Sequence, residues 1–139
     1  MQIYVETIYI KTTRNLDILD ISSQVQSFIA KYPIKNGSVQ LFIAGSTAAL
    51  TTIEFEEGVI NDLKRAIERI APTNISYEHD KRWGDGNGYA HVRAAILGPS
   101  LIIPFQNGRL LLGTWQQIVL CDFDNRPRTR AITAQLIGI

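Results

Sequence analysis

The chain reads as a single compact α+β domain with a largely antiparallel sheet and two main helices. Three observations lead there. Strand-like stretches crowd both ends of the sequence, helix-period stretches occupy its middle, and Asn107-Gly108 between two apolar runs is a hairpin signal. Strands grouped this way do not make the alternating strand–helix order of a parallel α/β fold. With 139 residues the chain has the usual size of one domain, so residues 1–139 are taken as one unit. A domain of this length buries roughly 68–70% of its unfolded surface and needs neither disulfide nor metal to build a core.

The elements follow in order. Gln2 to Ile10 alternates apolar and polar residues, the pattern of a half-buried strand. Leu16 to Ile21 is a short second strand. Asp20 or Ser22 is placed to cap a helix whose Val25, Phe28 and Ile29 share one face and which stops before Pro33. Asn36-Gly37 is a turn, and VQLFIA from Val39 to Ala44 is a buried strand. Leu50 to Phe55 continues as another strand. Gly58 to Ile70 is the clearest helix, with Val59, Ile60, Leu63, Ala66, Ile67 and Ile70 at helical spacing and Pro72 beyond its end. Tyr77 to Gly88 is polar and glycine-rich and reads as a loop. Tyr89 to Leu97 has helical composition and stops at Gly98-Pro99. Leu101 to Phe105, Leu110 to Cys121 and Arg130 to Ile137 are strand-like, with Asn125-Arg126-Pro127 joining the last two.

Composition narrows the function classes. The hydrophobic fraction of 45% and charged fraction of 19% describe an ordinary globular protein. A net charge of +1 argues against a polyanion partner. The one basic cluster, Arg126-Pro127-Arg128-Thr129-Arg130, reads as a solvated turn, and no nucleic-acid partner is expected. The single Cys121 forbids an internal disulfide and fits a reducing cytosol, so a cytoplasmic location is expected. Its apolar neighbours Val119, Leu120 and Phe123 mark it as a buried, inert thiol. The opening MQIYVETIYI lacks the basic and apolar regions of a signal peptide. No apolar run approaches the ~20 residues of a membrane span, so no membrane partner is expected.

Chemistry concentrates in YEHDKRWGDGNGYAH, from Tyr77 to His91. Glu78, His79, Asp80, Asp85, Asn87 and His91 are packed there among three glycines. Histidine changes charge near neutral pH and is the commonest metal ligand. The spacing of His79 and His91 is not the i, i+4 spacing of a helical zinc motif, but a loop followed by a helix could bring them together. The competing reading makes His91 a buried helix residue and His79 an exposed loop residue. A second stretch, Gly45-Ser46-Thr47-Ala48-Ala49, is small and hydroxyl-rich and could face a phosphate, although a plain turn also explains it. Glu54 could serve as acid or base or simply face solvent. In the third stretch, Gly113 to Gln117, Trp115 reads as core or interface, and Gln116 could read a polar ligand.

These stretches, in this order, resemble the YjbQ family, also described as secondary thiamine-phosphate synthases. The resemblance covers roughly Val39 to Gly138. It rests on STAALT, YEHD, AHV, LGPSLIIP, GRLLLGTWQQI and a final strand ending in Gly138, with LGTWQ after the paired-histidine segment as its sharpest part. It implies a compact subunit that assembles as a homotrimer, with a pocket near subunit contacts lined by the histidine segment. It also implies a weak transferase activity of the thiamine-phosphate synthase type. That reaction joins an aminopyrimidine pyrophosphate to a thiazole phosphate and expels pyrophosphate, chemistry usually supported by Mg²⁺.

By position, the resemblance assigns catalytic roles to Glu54, His79, Asp85 and His91. It assigns ligand binding to Ser46, Thr47 and Gln116; Asn87, which stands in the histidine segment where the family pattern is acidic, is expected to bind ligand as well. His79 and His91 are also the expected ligands if Mg or Zn is bound. The chain departs from the family pattern at Gly45, where many members carry histidine, and at Ile53, where many carry asparagine. Two readings compete with a transferase acting on a small phosphorylated metabolite. One is a metal-dependent hydrolase-like site, with two histidines and a carboxylate on the ion. The other is a non-catalytic, metabolite-binding trimer.

Overall fold

The computed structural model describes residues 1–14 and 16–139. Two antiparallel sheets form the frame. The larger has five strands in the order β1 (Gln2–Lys11), β8 (Thr129–Gly138), β3 (Gly37–Ile43), β5 (Ser100–Gln106) and β6 (Arg109–Leu110). The smaller has three: β2 (Asp17–Asp20), β7 (Gln116–Asp122) and β4 (Ala48–Glu54). The helices are α1 (Ser22–Ala30), α2 (Glu57–Ile70), α3 (Glu78–Trp83) and α4 (Gly88–Leu97). The α+β class and the largely antiparallel pairing expected from the sequence are both present. None of the helices among the described residues is long and apolar enough to cross a membrane.

Strand β7 explains the layering. Its Ile118 and Leu120 point into a core shared with the five-stranded sheet and α1, where they meet Val25, Phe28, Leu41, Ile132 and Leu136. Its Val119 and Cys121 point the other way, into a second core with Ile18, Ala49, Ile67, Ala90 and Ala94. Side chains alternate across a strand, so burial of both faces requires an unbroken apolar run. The layers are therefore sheet, sheet and helices, with β7 in the middle. Cys121 is fully buried, as expected, and burial pushes its thiol up to about 12. It stays protonated at neutral pH and is no nucleophile.

Local chemistry sets the ends of the elements. Asp20 Oδ1 accepts the Ser22 N–H at 2.9 Å, while the Ser22 hydroxyl accepts from the Ile118 N–H at 2.8 Å. The first turn of α1 is thus pinned to β7. The start of α2 is capped by Glu56, whose carboxylate accepts from the Gly58 and Val59 N–H groups. Asn107 (φ 52°) and Gly108 (φ 74°) make the tight β5–β6 turn, which needs positive φ at both positions.

The structure corrects the sequence reading at three places. Tyr77 to Gly88 is not all loop, because α3 lies inside it. Gly84 closes that helix in the left-handed conformation and donates its N–H to Asp80 O at 2.7 Å. Leu110 to Cys121 is not one strand. It breaks between β6 and β7, where the Gln116 side chain accepts the Gly113 N–H and holds a turn. Trp115 lies in that turn at 73% exposure, so it is not a core residue.

Two glycines allow the closest backbone approach in the large sheet. Gly37 and Gly138 are register partners. A Cβ on Gly138 would lie 2.1 Å from Asn36 O, a backbone atom that cannot swing away. Gly138→Ala is expected to cost about 1–3 kcal/mol by overpacking. Urea unfolding should show a lower midpoint with an unchanged slope, and an unaltered midpoint would mean the strands part without cost.

Candidate functional site

The site forms where α3 meets the start of α4. Asp80 Oδ1 accepts the Gly88 N–H at 2.8 Å and draws the two helices together. Gly88 permits the contact, because a Cβ there would lie 2.6 Å from the Tyr77 Cβ. Tyr77 is itself anchored through its hydroxyl to Pro72 O at 2.6 Å. The result places the His79 and His91 rings 4.4 Å apart between centroids, tilted by 36°. Both histidines are half-buried, so neither part of the competing reading holds.

His79 Nδ1 lies 3.4 Å from Asp80 Oδ1 and 3.4 Å from Asp85 Oδ1. Ligand atoms of His79, Asp80 and Asp85 all lie within 4.8 Å of one another. A 3.4 Å separation is long for an N–H···O hydrogen bond. It matches the spacing of neighbouring ligand atoms around a cation held at about 2.1 Å, roughly 3.0–3.4 Å. One imidazole with two carboxylates is a donor set that suits a divalent cation. This set differs from the expected one: Asp80 and Asp85 join His79, and His91 stands beside the cluster instead of in it.

The other predicted residues divide into three groups. Ser46 shares a cleft of about 190 Å³ with His91, Gly45, Ala48, Ala94, Ala95 and Pro99. Asn87 and Thr47 are buried and structural. Asn87 Oδ1 accepts the Asn125 N–H at 3.3 Å, and Asn125 donates in turn to Asp85 O at 2.9 Å. Thr47 Oγ1 donates to Asp124 Oδ2 at 2.9 Å and accepts from Arg130 Nη2 at 2.7 Å. Glu54 and Gln116 are paired in the register at the far end of β4 and β7. The six residue steps from Ala48 to Glu54 carry them about 20 Å from the cleft at a strand rise of ~3.3 Å. One chain does not bring them to the histidines.

The sequence reading missed the groups behind the site. The basic cluster is not simply a solvated turn, because Arg130 is buried and Arg128 half-buried. Arg130 Nε donates to Asp122 Oδ2 at 2.6 Å, and Arg128 Nε donates to Asp124 Oδ2 at 3.1 Å. The signal was available in the alternation of β8, where Arg130 is in phase with the inward residues Ile132, Ala134 and Leu136. Asp80 was legible only as one of several acids in the segment.

Comparison with known proteins places this architecture. A family model described as UPF0047 protein YjbQ-like matches residues 6–139. The chain belongs to the YjbQ-like UPF0047 family. A UPF0047 protein of Archaeoglobus fulgidus is 34% identical over 128 residues, covering 92% of this chain and 97% of that one. YugU of Bacillus subtilis is 34% identical over 135 residues, covering 96% and 98%. Among solved structures, a YbjQ-like protein of Sulfolobus solfataricus P2 superposes with a TM-score of 0.93 at 35% identity, covering 99% of both chains. A protein of Aeropyrum pernix K1 gives 0.89 at 29% identity, covering 98% of this chain and 99% of that one. Membership in the UPF0047 family fixes the fold and leaves the activity to be argued from the site.

In this UPF0047 chain the network behind the site makes the fold sensitive to acid. Burial alone raises the Asp124 pKa, but the Thr47 hydroxyl and the Arg128 guanidinium outweigh it and hold the carboxyl below its usual value. A carboxylate depressed in the folded state contributes stability above its unfolded pKa of ~3.9 and loses it as pH falls through the folded value. Thermal melts of wild type and Asp124→Asn should therefore differ most above pH ~4 and converge below it. A gap of constant size down to pH ~2 would show that Asp124 does not titrate with folding.

Proposed function

We propose that the chain is an enzyme acting on a small phosphorylated metabolite, with a divalent cation held by His79, Asp80 and Asp85. The observation that carries this reading is the convergence of those three side chains beside His91 and an open cleft. A bound cation, Mg²⁺ by analogy with pyrophosphate chemistry, would neutralise negative charge on a phosphate or pyrophosphate. Asp80 also holds the Gly88 N–H, so its carboxylate is oriented before any ligand arrives. His91 faces the cleft and is placed to donate a hydrogen bond or a proton to a phosphate oxygen there. The family resemblance makes thiamine-phosphate synthase-type transfer the specific reaction to test first. The metal-dependent hydrolase reading uses the same cation site with water in place of the thiazole phosphate.

The same reading includes a homotrimer. On the outer face of the large sheet, Ile3, Val5, Tyr9, Phe42 and Ile102 are all exposed, and β1 is a ten-residue edge strand. Uncovered apolar sheet faces and long edges favour association. Glu54 and Gln116 enter the reading only through such contacts, acting on the site of a neighbouring copy.

Purified protein should release pyrophosphate from the pyrimidine pyrophosphate only when Mg²⁺ and the thiazole phosphate are both present. His79→Ala, Asp85→Asn and His91→Ala should each lower the rate by roughly 10²-fold or more. Release without the thiazole phosphate would select the hydrolase reading, and equal rates in all four proteins would remove these residues from the chemistry. Sedimentation equilibrium should give three times the chain mass at micromolar concentration; a stable monomer there would refute the trimer.

A further inference from the structure

Arg130 has a free edge. Its side chain is 9% exposed, and it commits Nε to Asp122 and Nη2 to Thr47, with Asp124 3.9 Å from Nη2. Among the described residues Nη1 has no hydrogen-bond partner. No buried side-chain nitrogen or oxygen among them is left unpaired, so Nη1 is open to solvent. It is also the heavy atom nearest to where a Cβ on Gly45 would lie, at 3.3 Å. Both carboxylates engage the Nε and Nη2 edge, and the edge without an acid is the one turned to Gly45.

Gly45 is an exposed residue with φ +119°, a conformation that disfavours any side chain. With no Cβ at this position, the backbone leaves a notch over the guanidinium. Gly45 also lines the cleft that holds Ser46 and His91. At 190 Å³ that cleft has roughly six water volumes of room, enough for a phosphoryl group. Guanidinium N–H groups are suited to phosphate oxygens, and a charge-assisted bond of this kind is about twice as strong as a neutral one.

We propose that Arg130 Nη1, reached through the notch at Gly45, forms with Ser46 and His91 a subsite for a phosphoryl group. This rests on the reading above that the substrate is phosphorylated, and it names the group that holds the phosphate. Arg130 then has two tasks. Its inner edge braces β8 against β7 and the loop before β4, and its outer edge binds ligand. The subsite lies on the Gly45 side of His91, distinct from the cation ligands His79, Asp80 and Asp85.

The test reads the guanidinium directly. Wild-type protein labelled with ¹⁵N is titrated with inorganic phosphate at constant ionic strength, and the arginine side-chain signals are followed by NMR. Arg130→Lys identifies the signal by its loss. We expect the Arg130 signal to shift saturably with phosphate and to stay in place with chloride or acetate. Gly45→Ala removes none of the groups that pair with Arg130 and puts a methyl 3.3 Å from Nη1, and in protein shown to be folded it should weaken phosphate binding about tenfold or more. Asp85→Asn, which removes a ligand of the proposed cation site and leaves His79 packed beside His91, should leave the phosphate response intact, so the subsite survives even if the catalytic reading fails. No shift of Arg130 in wild type overturns the proposal. An equal response in folded Gly45→Ala, or an equal response to acetate, overturns it as well. Loss of the response in Asp85→Asn would place the anion at the cation ligands instead and also overturns it.

Discussion

The buried pairing of Arg130 with Asp122 is the contact on which the site's construction depends. It joins neighbouring strands of different sheets, and through Thr47 it also grips the loop that precedes β4. A charge this deep is tolerated only when its partners are close and well aimed. Asp122 meets that condition at 2.6 Å, with Asp124 3.9 Å away on the same short stretch of chain. Asp124 adds the Thr47 hydroxyl and Arg128 to the same network, and its other oxygen accepts the Arg126 N–H at 3.2 Å. The β7–β8 connection is thereby a rigid corner. Asn125, at the tip of that corner, is the residue that bonds Asn87 and Asp85 O. The order of support runs from the ion pair to the corner, from the corner to the Asp85–Asn87 loop, and from that loop to the carboxylate beside His79.

Helix α4 joins this polar scaffold to the second apolar core. Its Ala90 and Ala94 are buried against Ala49 and Val119, so the helix packs close to β4 and β7. Small residues on that face bring His91 near the Gly45-Ser46 loop. On the far side of the helix, Arg93 donates to Ala71 O at 3.0 Å and to Glu68 Oε2 at 2.5 Å, which locks α4 to the end of α2. The Glu68 carboxyl is held below its usual value, first by the Thr73 N–H, with Arg93 assisting against the cost of burial. His91 is thus carried by a helix fixed on both sides, as a working group requires. His79 is carried by the short α3, which Gly84 closes and which the Asp80–Gly88 hydrogen bond ties to the start of α4.

Much of this was legible in residue patterns, for identifiable reasons. Helical spacing in Gly58 to Ile70 reflects one inward face, and one face leaves a period in the sequence; in Gln2 to Ile10 only Tyr4, Ile8 and Ile10 pack against the core, while Ile3, Val5 and Tyr9 lie on the exposed face. Asn107-Gly108 was legible because a two-residue turn of this type demands positive φ twice. Helix α3 was not, since its five polar residues and an exposed Trp83 bury nothing completely and leave no period. The inward Arg130 was read as a surface charge because it stands in a run with Arg126 and Arg128, and composition outweighed its phase in the strand.

The sequence by itself determined the α+β class, the order of the longer strands and helices, the inert Cys121 and the segment in which the histidines fall. Local propensity, periodicity and burial of apolar residues act along the chain, and they can be read along it. The tertiary structure alone decided that Asp80 and Asp85 both flank His79, and that His91 faces Ser46. It also decided that Thr47 serves the buried network and that Glu54 and Gln116 stand a strand's length away. Those facts depend on side chains distant in sequence meeting at set distances. Only the packing of α4 on β4, and of the β7–β8 corner on the Asp85–Asn87 loop, brings them within reach.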